Sequence, residues 1–265
     1  MIPGFITYFL IALISLGEGQ FQQIKQIPVQ ADFFSTDHVG NVYVLENGVL
    51  TKYNPELVSK YTFSRKDRGQ IEFIDTTDPL KLLVYYPEFG TIDFLNSDLA
   101  DHSRLELNDF DIYQQTVVCR SHDNGLWVFD PVLRQLYKLD SELQISIRSQ
   151  SFNQLFSEEI EPSYLNESEK WLVLADKENG LYVFDRLGVY LKNIRVKNVD
   201  NLQVFQDIIV YADDEQIHQH NIITGLDETL AIPGVEKEAV KQIRLEQNLL
   251  YMLTNTSLII FKWTV

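Results

Sequence analysis

Only one cysteine occurs in the 265 residues, so Cys119 can form no disulfide within the chain. A chain of this size must then be held by its core alone, a situation commoner in bacterial envelopes than in animal secretions. Cys119 lies in the strand-like run TVVCRS and reads as a buried, inert thiol rather than a nucleophile. Basic residues are scarce as well: 22 Lys and Arg stand against 38 Asp and Glu, a formal net charge of −16. That balance argues against a nucleic acid held through its phosphates and against adsorption to anionic lipid. It suits a well-solvated surface and basic or neutral partners. The motifs of common chemistry are missing too, with no G-x-S-x-G elbow, P-loop, H-E-x-x-H or C-x-x-C. Sustained helical periodicity is absent apart from a weak stretch near residues 150–160.

What is present begins with residues 5–16, FITYFLIALISL, an apolar run of signal-peptide length that is too short to span a bilayer comfortably. Gly17 and Gly19 stand at small-residue spacing, so cleavage is expected before Gln20. Residues 1–19 are then a signal peptide and residues 20–265 a single domain. No Lys or Arg precedes the run, which leaves an uncleaved N-terminal anchor as the competing reading. No cysteine stands near the cleavage region, which excludes a lipoprotein anchor there. The expected address is outside the cytoplasm, in the periplasm or at the outer membrane, with an extracellular location as the other option.

After Gln20 the apolar pattern has a period of two and is broken by Gly, Asn, Asp and Pro turns, as in an all-β fold. The pattern repeats. Residues 41–53 (NVYVLENGVLTKY), 81–95 (KLLVYYPEFGTIDFL), 116–129 (TVVCRSHDNGLWVF), 171–184 (WLVLADKENGLYVF), 208–220 (IIVYADDEQIHQH) and 249–261 (LLYMLTNTSLIIF) each read as strand, turn, strand. Residues 177–196 are the best-preserved copy, with Asn179-Gly180 and Leu187-Gly188 supplying two successive turns. Six hairpins spaced at roughly 35 to 55 residues match the blades of a propeller with four antiparallel strands each. A second alignment uses Asn54-Pro55-Glu56-Leu57, Asn96-Ser97-Asp98-Leu99 and Asp140-Ser141-Glu142-Leu143 as turns between third and fourth strands. It shifts the third unit by one strand, and the sequence alone leaves that register open. The last unit supplies only three strands, and residues 21–29 (FQQIKQIPV) form a strand with no hairpin of its own. Pairing the two would close the ring and remove its exposed edges.

Residues 37–44 (DHVGNVYV) with residues 50–54 (LTKYN), and residues 179–185 (NGLYVFD) with residues 188–191 (GVYL), resemble the repeat of six-bladed propellers of the NHL-like superfamily, which includes the TolB-like type. The resemblance implies a six-bladed β-propeller of a bacterial envelope kind. Such repeats specify blade geometry and carry no chemistry.

Candidate sites lie where the repeat breaks. His218 and His220, two apart on one predicted strand, project to the same face beside Asp214, a metal-ligating set by residue type. The alternative is packing, because the same positions are aromatic in other units. Asp32, Glu72, Asp75, Glu161 and Asn201 fall on candidate inner strands, which line the channel of a propeller. Lactonases that share the propeller fold hold Ca²⁺ there, which makes Ca²⁺ the one cofactor in view and a lactonase-like hydrolase the alternative function. Otherwise no cofactor and no catalytic residue is expected. Phe152, Leu155, Phe156 and Tyr164 belong to the longest departure from the repeat and are candidate partner-binding residues. Asn166-Glu167-Ser168 and Asn255-Thr256-Ser257 match the glycosylation pattern. The sequence points to a non-catalytic, protein-binding scaffold in a bacterial cell envelope, with an envelope complex as partner.

Overall fold

The computed structural model describes residues 20–199, 201–213, 216–233 and 240–264. The expected signal peptide and Asp214 lie outside the described residues. Among the described residues twenty-four strands form six four-stranded antiparallel sheets, and the fold is a six-bladed β-propeller. The first five blades run in chain order from inner to outer strand. Their inner strands are Phe33–Thr36, Phe73–Asp75, Val118–Arg120, Pro162–Glu167 and Gln203–Phe205. The sixth blade takes Val240–Glu246, Leu249–Thr254 and Ser257–Thr264 from the chain's end and Gln20–Pro28 from its beginning. The ring is therefore closed by the strand that lacked a hairpin. Phe21 locks the seam edge-on to Trp263, with ring centroids 4.9 Å apart.

The middle strands explain the dense apolar pattern. Leu82–Tyr86, Leu126–Asp130 and Thr91–Leu95 are buried along their whole length. A propeller blade is sandwiched between two others, so both strand faces bury side chains. In the fourth blade, Tyr182 and Phe184 pack with Trp127 and Phe129 of the third. Their neighbours Leu181 and Val183 pack with Ile209 and Tyr211 of the fifth. Consecutive residues thus serve consecutive interfaces.

The third blade resolves the register. Val118–Arg120 is its inner strand, Leu126–Asp130 its second and Gln135–Leu139 its third. Residues 116–129 hold the first and second strands, whereas the other five hairpins hold the second and third. The Asp140 turn follows the third strand, as do the Asn54 and Asn96 turns. Each of these residues caps its own turn, accepting from Val58, Ala100 or Gln144 N–H at 2.8 to 3.0 Å. The leucine at the fourth position, Leu57, Leu99 or Leu143, takes a left-handed φ near 60°. Gly188 holds that position in the fourth blade with φ 75°.

Polar bonds cross all six blade junctions, at or beside the inner strands. The Gln242 amide clamps both backbone groups of Phe34 at 3.1 and 2.9 Å, and Gln203 does the same to Leu245 at 3.1 and 2.7 Å. Thr76 donates to the Thr36 carbonyl, Asp75 accepts from Arg120 N–H and Asn166 accepts from Val204 N–H. Between the third and fourth blades, the enclosed Glu167 carboxylate accepts from His122 N–H and from the Trp127 indole. Asn166, the first of the two glycosylation-pattern asparagines, is thus engaged in the ring. Buried polar groups need partners, and here each partner belongs to the next blade.

Candidate functional site

The start of each inner strand faces one end of the central channel. There the ring leaves a cavity of about 280 Å³, lined among others by Asp32, Phe33, Glu72, Phe73, Tyr164 and Asn201. Three aromatic rings meet within it. Phe73 lies 6.1 Å from Phe33 and 5.5 Å from Tyr164, meeting the latter edge-on at 85°. Phe33 comes from the first blade, Phe73 from the second and Tyr164 from the fourth, so the contact between Phe73 and Tyr164 reaches across the channel. Burial pushes the Tyr164 hydroxyl up to about 12, and Arg244 beside it pulls the other way. Below, Arg244 Nε donates to Thr36 Oγ1 at 3.0 Å, and that hydroxyl donates to Glu246 at 2.8 Å. Burial raises the Glu246 carboxyl above the ordinary range against the pull of Arg244.

Of the five inner-strand residues singled out by sequence, Asp32, Glu72 and Asn201 border this mouth. Asp75 does not. It is buried and accepts from the backbone N–H groups of Thr77 and Arg120 at 2.9 and 2.8 Å. Glu161 is exposed, and its own N–H donates to Asp176. Among the described residues no three His, Cys, Asp or Glu side chains gather to hold a metal ion.

The histidine pair sits on the third strand of the fifth blade, Gln216–Asn221. His218 stacks on Tyr211 at 4.8 Å with rings 6° from parallel, and its Nε2 lies 2.7 Å from Asp213. His220 is buried with Nδ1 2.7 Å from Asp227. Each ring pairs with its own carboxylate, and the third member of the set, Asp214, lies outside the described residues. Cross-strand packing accounts for the first of them.

The four candidate partner-binding residues do not share a surface. Phe152, in the one-turn helix Phe152–Leu155, is fully buried and stacks on Phe184 with centroids 5.6 Å apart and planes 9° from parallel. It plugs the third and fourth blades together. Tyr164 points into the channel. Leu155 and Phe156 are half-buried against the same core as Phe152. Cys119 is fully buried in that core, and desolvation drives its thiol well above the ordinary range.

Sequence reasoning passed over a different surface. The turn after the third strand carries Leu187 and Val189 in the fourth blade and Ile223 and Leu226 in the fifth, between 54% and 64% exposed. Leu191, also exposed, follows on the fourth blade's outer strand Tyr190–Ile194. The two edges touch where Lys192 Nζ donates to the Ile222 carbonyl. Corresponding turns elsewhere read Pro55-Glu56, Ser97-Asp98 and Ser141-Glu142. The signal was therefore readable in the repeat itself at one position, where Leu187 and Ile223 stand in place of Glu56, Asp98 and Glu142, whereas Val189 has an exposed valine, Val58, as its counterpart in the first blade.

No family model matches the chain, and no curated protein matches it. Similarity to solved structures is a matter of fold. Virginiamycin B lyase from Staphylococcus aureus superposes with a TM-score of 0.66 at 7% identity, covering 92% of this chain and 99% of that one. The WD40 domain of Neurospora crassa Pan2 gives 0.57 at 9% identity, covering 91% and 95%. A BBS1 N-terminal domain in complex with ARL6 gives 0.56 at 15% identity, covering 88% and 77%. The propeller ring is shared by an enzyme and by a domain crystallised on a protein partner.

Proposed function

We propose that the protein is an exported, non-catalytic propeller that binds a protein partner as a scaffold in a bacterial cell envelope. The observation that carries the reading is the apolar edge of the fourth and fifth blades. The turn after the third strand needs an Asp or Asn cap and one residue of positive φ, and nothing in it requires exposed leucine or isoleucine. Exposed aliphatic side chains concentrated on two adjoining turns mark an interaction surface. The ring is suited to present it, because the six junction bonds keep the blades from shifting relative to one another. The neighbour crystallised with ARL6 shows that a disc of this fold can hold a protein. Export rests on the apolar run of residues 5–16.

Photo-crosslinking in the native cell tests this. A benzoylphenylalanine at position 187 or 223 is expected to trap the same protein, and one at position 56 none. Leu187→Asp combined with Ile223→Asp is expected to abolish co-purification of that protein while leaving the melting curve in place. Equal trapping at position 56, or none at 187 and 223, would overturn the reading.

A further inference from the structure

The channel mouth is built independently of the apolar edge, and its chemistry is specific. The inner strands of the first and second blades enter with the same pair of residue types, Asp32-Phe33 and Glu72-Phe73. In both, the acidic residue's N–H bonds the partner strand, Asp32 to the Leu45 carbonyl and Glu72 to the Tyr85 carbonyl. The pairs therefore occupy equivalent places in adjacent blades. Each leaves a carboxylate exposed at the rim and a ring partly buried below it. We propose that the mouth binds an organic cation, an ammonium or guanidinium group seated between the Asp32 and Glu72 carboxylates and over the rings of Phe33, Phe73 and Tyr164.

Three features fit that ligand class. Aromatic faces attract a cation through their quadrupoles, and the attraction grows when water is excluded from the cavity. Asn47 N–H donates to Asp32 at 3.1 Å and the Gln115 amide donates to Glu72 at 2.7 Å. Those bonds orient both carboxylates and leave acceptor capacity on each. The net charge of −16 draws cations toward the disc before contact. Among the described residues that line the mouth one is cationic, Lys241, whose ammonium is tied to the Ala31 carbonyl at 3.1 Å, while Arg244 lies below against the Tyr164 hydroxyl. An anionic ligand would have to pass two carboxylates to reach that single ammonium. The ligand is either a free organic cation or the end of a lysine or arginine side chain, and the same chemistry recognises both.

Calorimetric titration of the full chain with choline and with its neutral isostere, 3,3-dimethylbutan-1-ol, tests the proposal directly. Choline is expected to bind saturably, and the isostere about tenfold more weakly or not at all. N-acetyl-lysine methylamide and N-acetyl-arginine methylamide form the second arm. Tighter binding of either than of choline identifies a side-chain source, and the reverse identifies a free cation. Asp32→Asn with Glu72→Gln, both exposed and near-isosteric, is expected to weaken the best cation about tenfold, whereas Lys241→Gln is expected to strengthen it. Equal binding of choline and its isostere, no saturable binding of any cation, or indifference to the double substitution would each overturn the proposal. The measurement is independent of the protein partner, so failure here leaves the apolar edge untouched.

Discussion

Tyr164 of the fourth blade meets the edge of Phe73 of the second blade across the channel, with ring centroids 5.5 Å apart. The contact ties blades that are not neighbours. Phe73→Ala is expected to cost roughly 2 kcal/mol, less than a fully buried phenylalanine because the ring keeps partial exposure. Chemical denaturation measures the loss, and a crystal structure of the variant should show a deeper mouth.

Gln242 offers a sharper test of the blade junctions. Both its donor and its acceptor are used on the backbone of buried Phe34. Gln242→Leu keeps the volume but leaves an N–H and a carbonyl unpaired, with an expected loss of about 2–4 kcal/mol. Urea melts would measure it, and an unchanged midpoint would mean that water replaces the amide.

Phe152 is expected to behave as core. Phe152→Ala should cost about 3–5 kcal/mol, since the ring is buried against Phe129, Phe156 and Phe184. Deleting residues 149–159 removes that ring together with the Ser149 hydroxyl bonded to Leu136 N–H. Loss of the cooperative transition is expected in a thermal scan.

Two glycines of positive φ separate strain from crowding. Gly180 has φ 107°, and a Cβ there would stand 2.3 Å from the Ile194 carbonyl oxygen. Gly225 has φ 71° with nothing within 4 Å. Gly225→Ala is expected to cost about 1 kcal/mol, and Gly180→Ala several times more because backbone has to move. Paired melting curves distinguish them.

Asp207 controls part of the acid limb of stability. Burial opposes its charge, but the Trp171 indole at 2.8 Å and Lys170 at 3.0 Å outweigh that and hold the carboxyl below the ordinary aspartate range. A lowered folded pKa means that its contribution is present above the unfolded value, about 3.9, and is lost as pH falls through the folded value. Asp207→Asn is expected to flatten stability between about pH 5 and pH 2, followed by tryptophan fluorescence in urea. An unchanged slope would assign the acid limb to other carboxylates.

The architecture was legible because its causes are local. A strand alternates over five or six residues, and an Asn-Gly or Asp-capped turn is set by the φ angles of adjacent residues, so six copies of the pattern show in any one copy's neighbourhood. Closure was legible for a similar reason: residues 21–29 had no hairpin and the last unit lacked a strand. The register of the third blade was not, because TVVCRS is equally good as an inner or a second strand until its partners are known. The fates of Phe152 and the histidines were beyond local pattern for the same physical reason. Whether an aromatic side chain covers a core or faces solvent depends on what the next blade brings to it, and Phe184 and Asp227 arrive from other strands. The mouth is the extreme case. Asp32, Glu72, Tyr164 and Lys241 are separated by as many as 209 positions, and only the closing of the ring sets them around one cavity.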